Sequence, residues 1–190
     1  MTVDVPAPVY DRHHFTELML YVADKCASDP TFGATKLNKI LFYSDFLAYA
    51  NLGDAITGAT YQKLPNGPAP KQLLPALKEL EHNRDAAVAT RQHFGRTQKR
   101  LVPLRNPDIT QFTALELQLV DDVIQALWNR TATDVSELSH LERGWQIVGL
   151  NEEIPYWTVF IDSDQTMTSD DVEWAQAIAA RHGLSNTKED

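Results

Sequence analysis

Six histidines, a single cysteine and a Ser139-His140 pair followed by Glu142 are the groups of this 190-residue chain most capable of chemistry. Their spacing argues against most of it. His13 and His14 are neighbours in a helical stretch, so their rings point about 100° apart and suit one ion poorly. No His-x-x-x-His or Cys-x-x-Cys pair occurs. Ser139, His140 and Glu142 sit too close in sequence to face one another on a helix, and no Gly-x-Ser-x-Gly elbow is present. Cys26 falls on the apolar face of a helical run, which reads as a core thiol rather than a nucleophile. Gly67-Pro68 lacks the glycine, lysine and hydroxyl that a phosphate loop requires. The expectation is a protein with no enzymatic role, no cofactor and no metal.

The elements that would have to position any functional group are mostly helices. Phe15, Leu18, Val22 and Cys26 stack on one face of a helix over residues 11–27. Leu37, Ile40, Leu41, Ser44, Ala48 and Leu52 do the same in a second helix, which Gly53 stops in a left-handed conformation. Residues 71–83 read as a third helix, with Leu73, Leu77 and Leu80 inward and Pro75 in its first turns. Thr113 and Glu116 have capping-box spacing ahead of Leu115, Leu119, Val123 and Leu127. A break at residues 129–132 leads to a helix near 134–141, and a last helix is expected over 169–181, its first turn acidic. The helical period vanishes over 86–104, where residues 87–90 and 100–104 suit two strands around Gly95, lying on the helices. Residues 158–161 suit a further short strand. The fold class is α+β, a mainly helical single domain over 1–190, with residues 1–10 and 185–190 as flexible tails.

Between the second and third helices lies Leu64-Pro65-Asn66-Gly67-Pro68-Ala69-Pro70, which can continue neither a helix nor a central strand, because its prolines lack amide donors. It reads as a rigid, exposed turn after a buried helix, a device for presentation. Charge is distributed unevenly: residues 1–60 carry −3, 61–110 carry +5 and 111–190 carry −11, for a total of −9. Such a balance repels nucleic acid phosphates and steers toward a basic partner, or simply keeps the protein dissolved. One cysteine permits no intrachain disulfide and suits a reducing cytoplasm. No run approaches 18 apolar residues, so no membrane span is expected, and residues 1–10 lack the basic and apolar regions of a signal peptide.

Taken together, the helix Lys36-Leu37-Asn38-Lys39-Ile40-Leu41-Phe42-Tyr43-Ser44-Asp45, the connector Ile56-Thr57-Gly58-Ala59-Thr60-Tyr61 and the Leu64-Pro65-Asn66-Gly67-Pro68 turn resemble the Panacea, or SocA-like antitoxin, domain. Leu138-Ser139-His140, Gly144-Trp145 and Ile154-Pro155-Tyr156-Trp157 extend the resemblance over roughly residues 11–160. Asn66 departs from it, standing where an aromatic is common. The resemblance implies an antitoxin of a bacterial or phage toxin–antitoxin pair that binds its toxin directly, or an adaptor that delivers the toxin to a protease. Candidate partner-binding residues are Lys36, Lys39, Tyr43 and Asp45 on the helix, with Tyr61, Lys63, Pro65, Asn66 and Pro68 around the turn. For the lysines the competing reading is a solvated helix face, and for the tyrosines, half-buried packing. Trp145 carries the same ambiguity, whereas Ile154 and Trp157 are expected to pack inward. Nucleic acid is not the expected partner. A helix-turn-helix over 113–141 would carry Asp134, Glu137 and Glu142 into the groove against phosphate repulsion. The stretch with Arg91, Arg96, Lys99, Arg100 and Arg105 suits nucleic acid better, and suits a charged hairpin edge equally well.

Overall fold

The computed structural model describes residues 8–93 and 96–161. Among the described residues, six helices and two antiparallel hairpins follow in the order α1 (Arg12–Lys25), α2 (Ala34–Leu52), β1 (Tyr61–Leu64), β2 (Gly67–Pro70), α3 (Leu73–His82), β3 (Ala86–His93), β4 (Arg96–Pro103), α4 (Ala114–Leu127), α5 (Ala132–His140) and α6 (Arg143–Ile147). Single 3-10 turns lie at Ile109–Gln111 and Tyr156–Phe160. The class is α+β. The helix expected over 169–181 lies outside the described residues, as do residues 1–7 and 185–190 of the expected tails. Residues 8–10 of the N-terminal stretch are placed: the Tyr10 ring stands 5.8 Å from that of Phe15.

Two helices form the centre. The Asp11 side chain caps α1 by accepting from His14 N at 2.9 Å. From Phe15 to Ala23 every residue of α1 is buried, polar Thr16 and Glu17 included. Glu17 tolerates that position because Arg105 donates to both its oxygens, at 2.9 and 2.5 Å, and Asp108 N adds a bond at 2.7 Å. Burial alone would raise the Glu17 carboxyl, and these donors hold it below its ordinary value. In α2 the stripe widens until the helix is buried on nearly every side from Lys36 to Tyr49. It ends at Gly53, whose φ of 88° is left-handed.

Thr113 caps α4 as expected, with Thr113 Oγ1 accepting from Glu116 N at 3.2 Å and Glu116 Oε2 accepting from Thr113 N at 2.7 Å. The buried face is Val120, Val123, Ile124 and Leu127, and Leu115 stands in solvent. Steps of four residues drift by about 40° each on a helix of 3.6 residues per turn, so a stripe of three such steps cannot stay on one face. The expected strand at 158–161 is instead the 3-10 turn. There Thr158 N and Oγ1 both donate to Pro155 O, at 3.0 and 2.6 Å, and close the chain locally.

The proline-rich connector is corrected as well. It is a paired hairpin, β1 with β2, in which Tyr61 faces Pro70 and Leu64 faces Gly67. Only Pro65 and Asn66 are exposed, while Gly67 to Pro70 are buried. Prolines are tolerated because β2 has one neighbouring strand, so the missing donors leave no ladder bond unmade. The second hairpin lies on α1 and α3, as the sequence suggested.

Candidate functional site

Beneath the β1–β2 hairpin lies a buried polar network whose centre is Asp45, fully buried on α2. Its Oδ1 accepts from Thr57 N at 2.7 Å. Its Oδ2 accepts from Thr57 Oγ1 at 2.5 Å and Tyr61 OH at 2.8 Å. Tyr156 OH stands 3.4 Å from the same oxygen and donates to Ala59 O at 2.7 Å, the shorter contact. Burial pushes the Asp45 carboxyl up to about 6, against the hydrogen bonds from Thr57, Tyr61 and Tyr156. Around it the Phe46 and Tyr156 rings stack at 4.6 Å, and Tyr61 meets Phe42 and Phe46 edge-on. The cage therefore ties four separated stretches, α2, the 56–59 connector, β1 and the 3-10 turn, to one carboxylate.

Two lysines on α2 complete the mooring. Lys39 is buried and donates to Pro68 O at 2.9 Å, satisfying a β2 carbonyl. Burial with no acidic partner pushes it down to about 7. Gly67 crosses directly over this amine at φ 92°, where a Cβ would overlap the Ser139 hydroxyl and come 2.7 Å from Lys39 Nζ. Lys36 is equally buried and pairs with Asp29 at 2.8 Å, donating also to Thr31 Oγ1 at 2.5 Å. The partner-facing groove and the solvated face weighed for these lysines, the latter preferred for Lys39, are both corrected: the side chains of Lys36 and Lys39 run inward to fixed acceptors.

On its other side the hairpin is joined by the chain at 151–154. Lys63 N donates to Glu152 O, Asn151 N to Lys63 O and Ile154 N to Tyr61 O, each at 2.9 Å, which adds a strand-like strap to the β1 edge. Lys63 Nζ lies 4.2 Å from the centre of the Trp145 ring and donates to Val148 O at 3.0 Å. Trp145 Nε1 donates to Leu64 O at 3.2 Å, and the His140 ring stacks on the indole at 4.1 Å. Tyr43 is half-buried beside Glu142, with its hydroxyl enclosed, and burial drives both groups toward their neutral forms.

The structure divides the candidate residues by depth. Lys36, Lys39, Asp45, Tyr61 and Pro68 are buried; Tyr43 and Lys63 are half-buried; Pro65 and Asn66 alone are exposed. Tyr61 is a core residue rather than a half-buried one. Ile154 packs inward as expected, and Trp157 does not, with 53% of it exposed. Sequence reasoning missed Thr57, Tyr156, Asp29 and Ser139. A signal for the network existed, since Asp45 stands four residues after Leu41 and three before Ala48, inside the apolar stripe.

The basic stretch is partly spent on the fold. Arg100 is buried and donates to Asp29 O, Cys26 O and Ala27 O, closing the end of α1, and Arg105 is bound by Glu17 and Asp85. Cys26 is buried, and its thiol is pushed up to about 12, chiefly by burial. Among the described residues no group of three or more metal-ligating side chains occurs, and no helix is long and apolar enough to cross a membrane.

What this geometry defines is an α+β scaffold that holds out a short hairpin. A family model for the SocA-like antitoxin, Panacea domain, matches residues 37–146, more than half of the chain, and the protein belongs to that family. Tyr156, which closes the Asp45 cage, lies beyond the matched residues. No curated protein and no solved structure matches the chain.

Proposed function

We propose that this protein is an antitoxin that acts in the cytoplasm, neutralising a cognate toxin by direct binding without catalysing a reaction. Membership of the antitoxin family carries the reading. The mooring of the hairpin supports it. Pro65 and Asn66 are exposed on a turn fixed from below by Lys39, Gly67 and the Asp45 cage, so the tip meets a partner with little ordering entropy left to lose. Lys63, two residues before the tip, and half-buried Tyr43 on α2 are the further contact residues. Lys36, Lys39, Asp45, Tyr61 and Pro68 act as positioning residues under it. A stable complex buries about 1,600 Å² in total, so surfaces beyond a two-residue tip must take part. The net charge of −9 speeds association with a basic toxin, an effect that added salt weakens.

The test is co-expression with the neighbouring reading frame whose product arrests growth on its own. Growth should resume, and the purified pair should elute together and stay inactive with no protease present. An Asn66→Lys variant of unchanged melting temperature should bind the toxin about tenfold more weakly, ~1.4 kcal/mol. A toxin that stays active beside equimolar soluble antitoxin until a protease is added would end the direct-binding reading.

A further inference from the structure

Leucines left in water on a rigid helix pair need an explanation, and the C-terminal half of α2 supplies three of them together with α4. Leu115 is 67% exposed, Leu52 42% and Leu47 36%. They wall an open trough of about 350 Å³ whose floor is Leu119, Val123 and Ala126. Burying such side chains is favourable, and the described residues leave that gain unrealised. Leu115 is not on a fraying end, because both bonds of the Thr113–Glu116 capping box hold its turn. A furrow walled by such side chains on ordered helices is a candidate docking surface.

We infer that this trough receives a basic amphipathic helix of the protein partner. Its shape follows from two packed helices, whose shared furrow accepts a third helix through apolar residues at i, i+3, i+4 and i+7. Its charge selects the flanks of that helix. Asp122 stands at the rim with Gln118 and Asn51, and among the described residues no lysine or arginine lines the trough. The last turn of α2 carries no basic residue and Asp54 follows directly after Gly53, so the carbonyl end of that helix adds negative potential, whereas the end of α4 is covered by Arg130, whose Nε donates to Ala126 O at 2.9 Å. Lysine or arginine beside the apolar stripe would meet these groups, whereas an acidic helix would be repelled. The inference rests on the antitoxin reading for one point, that the toxin is the partner carrying the helix.

The full-length protein is titrated with two fluorescent synthetic helices of about four turns. Both have leucines at that spacing, one with lysine flanks and one with glutamate flanks, and binding is read by anisotropy at two ionic strengths. The lysine helix should bind at least tenfold more tightly, and less so in high salt. Leu115→Asn, an exposed site where the fold is undisturbed, should weaken it about tenfold, as should Asp122→Lys. Equal binding of the two helices, or indifference to Leu115→Asn, overturns the inference. So does a mass that doubles with concentration and reverts in Leu115→Asn, which would assign the trough to a second copy. Absence of any binding overturns it too. In co-expression, Leu115→Asn should rescue growth poorly. Full rescue by Leu115→Asn removes the toxin from the trough and leaves the antitoxin reading standing. A wild type that never rescues, yet binds the lysine helix as expected, defeats the antitoxin reading alone.

Discussion

Asp45 shows how one buried carboxyl can hold four separated stretches of chain together. Its ordinary value lies near 3.8, and burial raises it to about 6 in the fold. The folded protein therefore holds a proton that the unfolded chain releases, and the stability from this group is complete below about 4. It declines as pH rises through about 6, by about 3 kcal/mol for a two-unit difference. Urea midpoints measured from pH 4 to 7 should show wild type losing stability relative to Asp45→Asn over that window; parallel profiles would remove the assignment. Lys39 has the opposite sign. Its value falls from 10.5 to about 7, so the unfolded chain binds the extra proton between those limits. The contribution of neutral Lys39 is present above about 10.5 and is lost as pH falls through 7. Relative to Lys39→Met, wild type should gain stability between pH 7 and 10, measured the same way. Neither group's depth was stated by its residue type. Charged side chains default to solvent, and only the place of Asp45 in the stripe of Leu41 and Ala48 pointed inward.

At the scale of elements, the β1–β2 hairpin is the piece whose position the rest of the fold defines. Gly67→Ala would place a methyl group in a left-handed backbone against Ser139 and Lys39. It should lower stability by about 1–3 kcal/mol and weaken toxin binding more than any global loss explains. Calorimetry on the free protein, with affinity on the pair, separates the two effects. A neutral Gly67→Ala would show that β2 has room the structure does not give it. Helices were legible in the sequence because their signals are local: the Thr113 cap, the Gly53 stop and the apolar period all act within a few residues. What remained illegible is pairing across the chain. Glu17 meets Arg105 from 88 residues away, and Tyr156 reaches the Asp45 oxygen from 111 away. The strap at 151–154 joins β1 through backbone bonds alone, which leave no mark on residue type. The proline-rich turn concealed a hairpin for the converse reason, because the residues that forbid a central strand are permitted at an edge.

Across the whole molecule, the two proposed contact surfaces occupy different ends of α2. The moored hairpin crosses over its first turns near Lys39, and the leucine trough opens along its last ones. A partner engaging both would span much of that helix, whose 19 residues extend about 28 Å. The sequence disclosed the acidic balance that would favour such a partner, but not the trough, since exposed Leu115 and Leu52 share the periodicity of core leucines. Packed against both α2 and α4 lies α1, enclosed without a gap from Phe15 to Ala23. Amides there have no local opening that reaches solvent. In deuterium exchange they should trade hydrogen only through complete unfolding, setting the ceiling of protection for the protein. The tip at Pro65 and Asn66 should exchange early when free and slow down once the toxin is bound. Protection of α1 above that of every other helix would identify it as the last element to come apart.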